Sequence, residues 1–222
     1  IDPLTFLCTP CTEVPVAQQS FEDRHIPEHH YNNLWYIDKP QTLSYLHKKY
    51  RDRVLGNDPR IILPFTRDGE LIGLSGRAIN DSPLRYLTMR FRDDLPLIFN
   101  LDNVDKTKTI YVTEGPIDSL FLPNSIAVGG SDFKKIDKEL KNNSIIIYDN
   151  EPRNTEILKK IEEVIELGYN VCLWDDKRVQ DLKDINDMIQ SGLTKEEVKD
   201  IIDKSTFSGL SAKLKFKEYK KV

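Results

Sequence analysis

The sequence has few cysteines and no long run of apolar residues. Its 3 cysteines are too scattered for a disulfide framework, and Cys172 lies in an apolar run, where a thiol behaves as a small hydrophobic group. No stretch approaches the roughly 20 apolar residues that a membrane-spanning helix needs, and the N-terminus lacks the basic and then apolar pattern of a signal peptide. We therefore expect a reducing, cytoplasmic setting without a membrane partner. Because the sequence does not begin with Met, we also expect a fragment or a processed chain.

Basic residues are not in excess over the whole chain either. The 222 residues carry a formal net charge of −4, which argues against a uniformly basic nucleic-acid-binding protein. Between residues 51 and 92, however, all 8 basic residues are arginines. The same stretch contains 5 acidic residues, so its net charge is +3. The planar guanidinium group binds phosphate through paired hydrogen bonds. This stretch indicates contact with phosphates, although scattered arginines also fit an ordinary solvated surface.

The second half of the sequence alternates between strand and helix patterns. Apolar strands are predicted at residues 110–113, 125–128, 144–148 and 169–174. Helices are predicted at residues 118–122, 134–141, 155–167, 185–190 and after Thr194, which makes a capping box with Glu197. Apolar strands separated by helices are typical of a parallel sheet that is covered on both faces, so the predicted fold class is α/β. In the first half, Asp68 and Gly69 predict a hairpin turn between two strands.

Acidic residues follow three of the predicted strands. Glu114 follows the first strand, and Asp149 and Glu151 follow the third. Asp184 and Asp187 follow the fourth. Because the carboxyl ends of parallel strands meet at one edge, these carboxylates would repel one another unless a cation lay between them, and such oxygen ligands suit Mg²⁺ or Mn²⁺. Each acid taken alone can instead be a helix cap or a turn residue.

These acidic segments carry a family resemblance. EGPID at residues 114–118, DNE at 149–151 and KDIND at 183–187 resemble the Toprim domain that DnaG-type primases, topoisomerases and some nucleases share. The resemblance implies that Glu114 is the Glu after the first strand and that Asp118 is the second acid of its motif. Asp149 matches the first member of the family's acidic pair, and Glu151 stands where the family usually has Asp. In the last motif, Asn186 stands where bacterial primases usually have Asp.

The resemblance implies a set of functional residues. The catalytic residues would be Glu114, Asp149 and Glu151. The metal ligands would be Glu114, Asp118, Asp149, Glu151, Asp184 and Asp187. The residues that bind nucleic acid or nucleoside triphosphate would be Arg77, Arg85, Tyr86, Arg90, Arg153 and Lys183. For Tyr86, a place in the core is an alternative.

The segment before the acidic motifs selects among the activities of Toprim proteins. Residues 60–104 resemble the part of DnaG-type primases that precedes Toprim, with Arg77 after a Gly and Arg85 before Tyr86 as matching pairs. Residues 20–37, SFEDRHIPEHHYNNLWYI, are similar to the corresponding stretch of primases from T-even-like bacteriophages. The implied function is that of a DNA primase catalytic core.

Such an enzyme makes short RNA primers from nucleoside triphosphates on a single-stranded DNA template. The implied cofactor is Mg²⁺ or Mn²⁺, and the implied partners are the template, the triphosphates and a replicative helicase. For a bacteriophage protein, the setting would be the cytoplasm of the host cell. Two alternatives stay open: a Toprim nuclease or topoisomerase-type enzyme that cleaves DNA, and a non-catalytic recombination mediator.

Three segments follow from these motifs. Residues 1–105 are expected to form a smaller, Arg-rich α+β subdomain that binds the template, and residues 106–193 the Toprim catalytic domain. Residues 194–222 are expected to form a C-terminal helix and a Lys-rich tail. The tail, KLKFKEYKKV, is expected to be disordered, with helicase docking or nucleic-acid binding as alternatives.

A separate pattern fits a two-Cys, two-His zinc site. Cys8 and Cys11 are followed, after 13 intervening residues, by His25 and His29. A proline lies inside each pair, and the proline between the histidines is incompatible with the helix that a zinc finger needs there. We therefore do not expect zinc. DnaG-type primases carry a separate zinc ribbon at the N-terminus, so we expect the chain to begin after it.

Overall fold

The chain divides into two compact units. The computed structural model describes residues 2–129, 133, 136 and 138–222. The first unit is Ile1–Asp102 and the second is Asn103–Val222. Each unit contains its own five-stranded sheet. No helix in the described parts of the chain is long and apolar enough to cross a membrane.

The first unit is a mixed α+β structure around an antiparallel sheet. Its strands pair in sequence order, so each strand hydrogen-bonds to the next one along the chain. The α-helices and strands are α1 (Asp2–Leu7), β1 (Thr9–Pro10), α2 (Pro15–Glu22), β2 (Trp35–Ile37), β3 (Arg60–Arg67), β4 (Glu70–Ala78) and β5 (Tyr86–Arg90). The 3₁₀ helices that begin in this unit are Cys11–Glu13, Glu28–Asn33, Pro40–Leu46, Lys48–Tyr50 and Leu101–Asn103. Ile62, Leu74 and Met89, one from each of the three long strands, are completely buried and lie in the same apolar core.

The predicted hairpin joins β3 to β4. Asp68 and Gly69 have φ values of 51° and 80°, as the two central residues of a type I′ turn require. Arg67 pairs with Glu70 on either side of the turn. The amides of Asp68 and Gly69 donate hydrogen bonds to the carboxylate of Asp102, at 2.9 and 3.1 Å. The prediction of this turn is confirmed.

The second unit is built on a mostly parallel sheet. The sheet order is β10-β9-β8-β6-β7, in which β9, β8, β6 and β7 are parallel and β10 is an antiparallel edge strand. The α-helices and strands are β6 (Ile110–Thr113), α3 (Pro116–Ser119), β7 (Ser125–Ala127), β8 (Ser144–Ile147), α4 (Thr155–Glu166), β9 (Asn170–Cys172), α5 (Ile185–Gln190), α6 (Lys195–Lys204), β10 (Thr206–Phe207) and α7 (Gly209–Tyr219). The predicted α/β fold class is confirmed.

The strands of this sheet are covered on both faces. Every residue of β6, β7 and β8 is buried. Because successive side chains of a strand point to opposite faces, complete burial means that both faces are packed. The helix α3 packs against β6 and β7, whereas α4 and α7 pack against β9 and against each other. The predicted apolar stripe of α4 is buried, and the helix is capped by Asn154 and ends before Gly168, which has a φ of 79°.

The structure differs from the prediction at one helix and one strand of the second unit. Of the helix predicted at residues 134–141, positions 134, 135 and 137 lie outside the described residues, and Lys138–Asn143 forms a 3₁₀ helix. Within that 3₁₀ helix the buried residue is Leu140, which provides too little apolar surface to hold a longer helix. The edge strand β10 was not predicted, because two residues carry no periodicity.

The Lys-rich end of the chain is also different from the expectation. The prediction of a disordered tail is wrong, because most of this segment belongs to α7. Ala212, Phe216 and Tyr219 are buried along one side of α7, at spacings that place them on one helix face. With β10 paired to β9 and α7 packed against α4, residues 194–222 fold as part of the second unit.

Candidate functional site

Four of the predicted acids line one small cleft in the second unit, here called the acidic cleft. Glu114 follows β6, Asp118 lies in α3, Asp149 follows β8 and Asp184 caps α5. The residues that line the acidic cleft are Thr113, Glu114, Asp118, Ile147, Tyr148, Asp149, Trp174, Asp184 and Ile185. Since β6 and β8 are hydrogen-bonded neighbours, the first two acidic motifs leave the sheet side by side. The strand order therefore brings together residues that are far apart in sequence.

Backbone hydrogen bonds orient two of these acids. The amide of Asn186 donates to Oδ1 of Asp118 at 3.1 Å. The amide of Asp187 donates to Oδ1 of Asp184 at 2.8 Å, which makes Asp184 the N-cap of α5. The start of α5 thus fixes a carboxylate from α3 as well as its own cap.

Two lysines lie against the acids. Nζ of Lys160, on α4, is 3.4 Å from Oε1 of Glu114. Nζ of Lys183 is 3.7 Å from Oδ2 of Asp149 and 3.3 Å from Oε1 of Glu151. The hydrogen bond to Glu151, followed by its charge, raises the pKa of Lys183. Both ammonium groups offset part of the negative charge of the cleft.

The negative charge is not fully offset at Asp149. The pKa of Asp149 is raised from 3.8 to about 6, chiefly by burial and also by the charges of Glu114, Asp184 and Glu151, against the opposing effect of Lys183. A carboxylate with a raised pKa is one that a nearby cation would stabilise. The acidic cleft therefore has the electrostatic character of a cation site.

The oxygen atoms of the acidic cleft can be compared with the ligands that divalent metal ions prefer. The acids offer only hard oxygen atoms, which is the chemistry that Mg²⁺ and Mn²⁺ prefer. Within the described residues, no group of three or more His, Cys, Asp or Glu side chains is already arranged to hold a metal ion. The chemistry of the cleft thus fits a divalent cation, and binding would require the carboxylates to move closer together.

The other predicted residues of this unit lie outside the acidic cleft. Glu151 is half-buried beside it and contacts Lys183 and Nδ2 of Asn154. Asp187 is exposed on α5 and meets the cleft only through the backbone amide that caps Asp184. Arg153 is exposed in the loop that follows β8.

Sequence reasoning missed three residues near the cleft. Lys160 is one of two adjacent lysines on α4, and nothing in the sequence separates it from its neighbour. Trp174 lies at the end of an apolar run, where its indole donates to the carbonyl of Tyr148 at 2.9 Å. Asn150, between the two acids of DNE, is buried, and it lies in a loop, where no periodic pattern separates it from its neighbours.

In the first unit, three of the predicted nucleic-acid-binding residues lie together. Arg77 on β4 and Tyr86 on β5 are directly opposite in the sheet register, and the Arg77 guanidinium lies 5.0 Å from the centre of the Tyr86 ring and hydrogen-bonds to its hydroxyl. Arg85 is exposed next to Tyr86. Nε of Arg77 is buried without a hydrogen-bond partner. Arg90 lies at the other end of β5 and donates to the carbonyl of Leu95.

The zinc pattern of the first unit has a specific environment. Cys8 and Cys11 are buried, and burial raises the pKa of each thiol to about 12. Metal binding requires thiolates, so these two groups are poor ligands in this state.

Known proteins resemble this chain in sequence and in fold. No protein-family model matches it. The DNA primase of enterobacteria phage T4 is 31% identical over 204 residues, which cover 90% of this chain and 58% of that protein. A DnaG primase catalytic domain bound to ssDNA matches with a TM-score of 0.65 at 15% identity, covering 92% of this chain and 77% of that one. The primase fragment of the bacteriophage T7 primase-helicase protein matches with a TM-score of 0.50 at 15% identity, covering 86% of this chain and 72% of that one.

The fold of this chain is that of the catalytic core of DnaG-type primases. The predicted resemblance to DnaG-type primases is confirmed, and phage T4 DNA primase is a relative at the level of sequence. The chain spans little more than half the length of that relative.

The raised pKa of Asp149 predicts a pH dependence of stability in metal-free buffer. Because the folded chain holds this proton more tightly, the stabilisation is complete below the ordinary pKa of 3.8 and is lost as the pH rises through about 6. Between about pH 5 and pH 7.5, the free energy of unfolding should fall by about 1 kcal/mol more in the wild type than in Asp149→Asn. Urea denaturation at each pH measures this difference, and parallel curves for the two proteins would contradict it.

Proposed function

We propose that this chain is the catalytic core of a DNA primase, which synthesises short RNA primers from nucleoside triphosphates on single-stranded DNA. The observation that carries the proposal is the acidic cleft, in which four acids from three motifs meet in a fold that DnaG-type catalytic cores share. The similarity to T4 DNA primase supports it. Glu114 and Asp149 from the cleft, with Glu151 beside it, are the proposed catalytic residues.

The proposed metal ligands are the oxygen atoms of the acidic motifs. Glu114, Asp118, Asp149, Asp184 and the adjacent Glu151 would hold one or two Mg²⁺ or Mn²⁺ ions. When bound, such ions neutralise the triphosphate and activate the primer 3′-hydroxyl for nucleotidyl transfer. Asp187 is left out of this set, because its exposed side chain points to solvent rather than lining the cleft.

Basic residues near the cleft would bind the triphosphate. Lys183 contacts Asp149 and Glu151, and this position beside two proposed metal ligands supports a role for its ammonium group in binding the phosphates. Lys160 has the same relation to Glu114. Exposed Arg153 follows in the same loop as Glu151. Each of these three side chains would donate hydrogen bonds to a phosphate oxygen.

The Arg-rich first unit would bind the DNA template. Arg77, Arg85 and Tyr86 form a local group on β4 and β5 that combines positive charge with an aromatic ring. Such a combination suits a single strand, since arginine binds the backbone and the ring stacks on a base. Arg90 would contact the backbone separately.

A replicative helicase is the proposed protein partner. The T7 fragment with a similar fold comes from a primase-helicase protein. A helicase would bring the template strand to the primase. We propose that the protein acts in the cytoplasm. For a viral protein, this is the cytoplasm of the host cell.

A template-dependent assay tests the proposed function. The purified chain is incubated with labelled ribonucleoside triphosphates, Mg²⁺ and single-stranded DNA, and a parallel reaction contains supercoiled DNA. Short labelled RNA is the expected product. Nicked or relaxed DNA without RNA would support the Toprim nuclease or topoisomerase alternative, and DNA binding without either product would support a recombination mediator.

A further inference from the structure

Asn150 occupies an unusual place for an amide. It lies between the two acids of the DNE motif, Asp149 and Glu151, and it is 8% exposed. The polar atoms of a buried amide need hydrogen-bond partners, because a buried polar atom without a partner lowers the stability of the fold. Its hydrogen bonds therefore show what holds residues 148–154, the loop between β8 and α4 that is here called the acidic loop, in place.

Asn150 joins the loop after β8 to the segment that leads into α5. Its side-chain Nδ2 donates to the carbonyls of Val179, at 2.8 Å, and Leu182, at 3.1 Å. Its backbone amide donates to the carbonyl of Lys183 at 2.6 Å. The next residue is Asp184, the acid that caps α5. One asparagine thus links the second acidic motif to the third.

The remaining atom of this amide is held by the C-terminal helix. The hydroxyl of Tyr219, in the last turn of α7, donates to Oδ1 of Asn150 at 3.2 Å. Burial raises the pKa of Tyr219, so the phenol stays protonated and remains a donor. Two residues beyond, the amide of Lys221 donates to the carbonyl of Pro152 at 2.9 Å. The end of the chain therefore holds the acidic loop at two points.

We propose that Tyr219 and Asn150 are positioning residues of the acidic cleft, through which α7 sets the affinity of the cleft for a divalent cation. Asp149 and Glu151 flank Asn150 directly, so a shift of the backbone at Asn150 would displace both carboxylates. Hydrogen-bond partners behind metal ligands typically change metal affinity or activity by about 10- to 100-fold when they are lost. The inference rests on the proposed function for the identity of the reaction, whereas cation binding can be measured without it.

Substitution of one hydroxyl group tests the inference, with a matched control in the same unit. Tyr219→Phe removes the donor to Asn150. Tyr111→Phe removes a comparable one, since Tyr111 is 4% exposed and its hydroxyl donates to Asp203 on α6 at 2.7 Å, away from the acidic loop. We expect both changes to lower the melting temperature, and only Tyr219→Phe to weaken Mn²⁺ binding, measured by electron paramagnetic resonance, by about 10-fold or more.

A second variant removes the other hydrogen bond between the C-terminal segment and the acidic loop. Lys221→Pro deletes the amide that donates to Pro152, and the extended backbone of Lys220, with φ −70° and ψ 135°, is compatible with a following proline. We expect Lys221→Pro to weaken Mn²⁺ binding as well. Primer synthesis by Tyr219→Phe should recover at high Mn²⁺ concentration, which a merely unfolded protein would not do.

The outcomes separate the inference from the proposed function. Equal Mn²⁺ affinity of Tyr219→Phe, Lys221→Pro and wild type would overturn the inference, as would an equal loss in Tyr219→Phe and Tyr111→Phe, or wild-type protein that binds no Mn²⁺. Tyr219-dependent Mn²⁺ binding in a protein that makes no RNA would leave the inference standing and reject the primase function. RNA synthesis that Tyr219→Phe leaves unchanged at limiting Mn²⁺ concentration would reject the inference and leave the primase function standing.

Discussion

Glu114→Gln should lower the rate of primer synthesis by about 1,000-fold or more, while the protein stays folded. The substitution keeps the size of the side chain and removes its negative charge, so a proposed ligand of the divalent cation is lost together with its electrostatic contribution. The structure predicts little change in stability, because Glu114 is only partly buried and its contact with Lys160 lies at the edge of the cleft. Incorporation of labelled ribonucleotides measures the rate, and circular dichroism measures the fold.

The control for this experiment is a charge change elsewhere in the same unit. Glu162 is exposed on α4 and lies outside the acidic cleft. Glu162→Gln should retain wild-type activity. If Glu114→Gln retained activity as well, the assignment of Glu114 would be rejected.

Removal of divalent cations should stop nucleotide incorporation and leave the binding of single-stranded DNA intact. The carboxylates of the acidic cleft would repel a triphosphate without a cation, as the raised pKa of Asp149 already indicates. The residues proposed to bind the template, Arg77, Arg85 and Tyr86, need no metal. Incorporation should therefore fall to background in EDTA and return with Mg²⁺ or Mn²⁺, while DNA affinity measured by fluorescence anisotropy should stay unchanged.

Two comparisons make this experiment decisive. Arg85→Ala should weaken DNA binding to the same extent with and without EDTA, because its proposed contact is with phosphate. Continued incorporation in EDTA would reject the metal-dependent mechanism. A parallel loss of DNA binding in EDTA would show that the template is held through the cation instead.

The sequence was sufficient to predict the parallel sheet but not its edge. The strands β6, β8 and β9 consist mainly of apolar residues, as is typical of parallel strands that are buried on both faces. The strand β10 has two residues and forms only because the chain returns to β9 after α6. The helix α7 carries lysines that resemble a solvated tail, and its buried face is recognisable only once a surface exists for it to cover.

The acidic residues of the site could be predicted for the same topological reason. Glu114, Asp149 and Asp184 follow strand segments, and strands of a parallel sheet end at a common edge. Their partners could not be predicted in this way. Tyr219 lies 69 positions from Asn150, and Lys160 lies 46 positions from Glu114. Such contacts depend on how helices pack on the sheet, which periodicity does not specify.

The position of β10 has a consequence for how this protein is made. Strand β9 obtains its outer neighbour from residues 206–207, which are synthesised after α5 and α6. Until the ribosome has released them, the backbone groups along that side of β9 have no partner, and such an open strand edge can recruit other nascent chains. Chains that terminate early, between α6 and β10, should therefore accumulate as aggregates rather than as a smaller working protein.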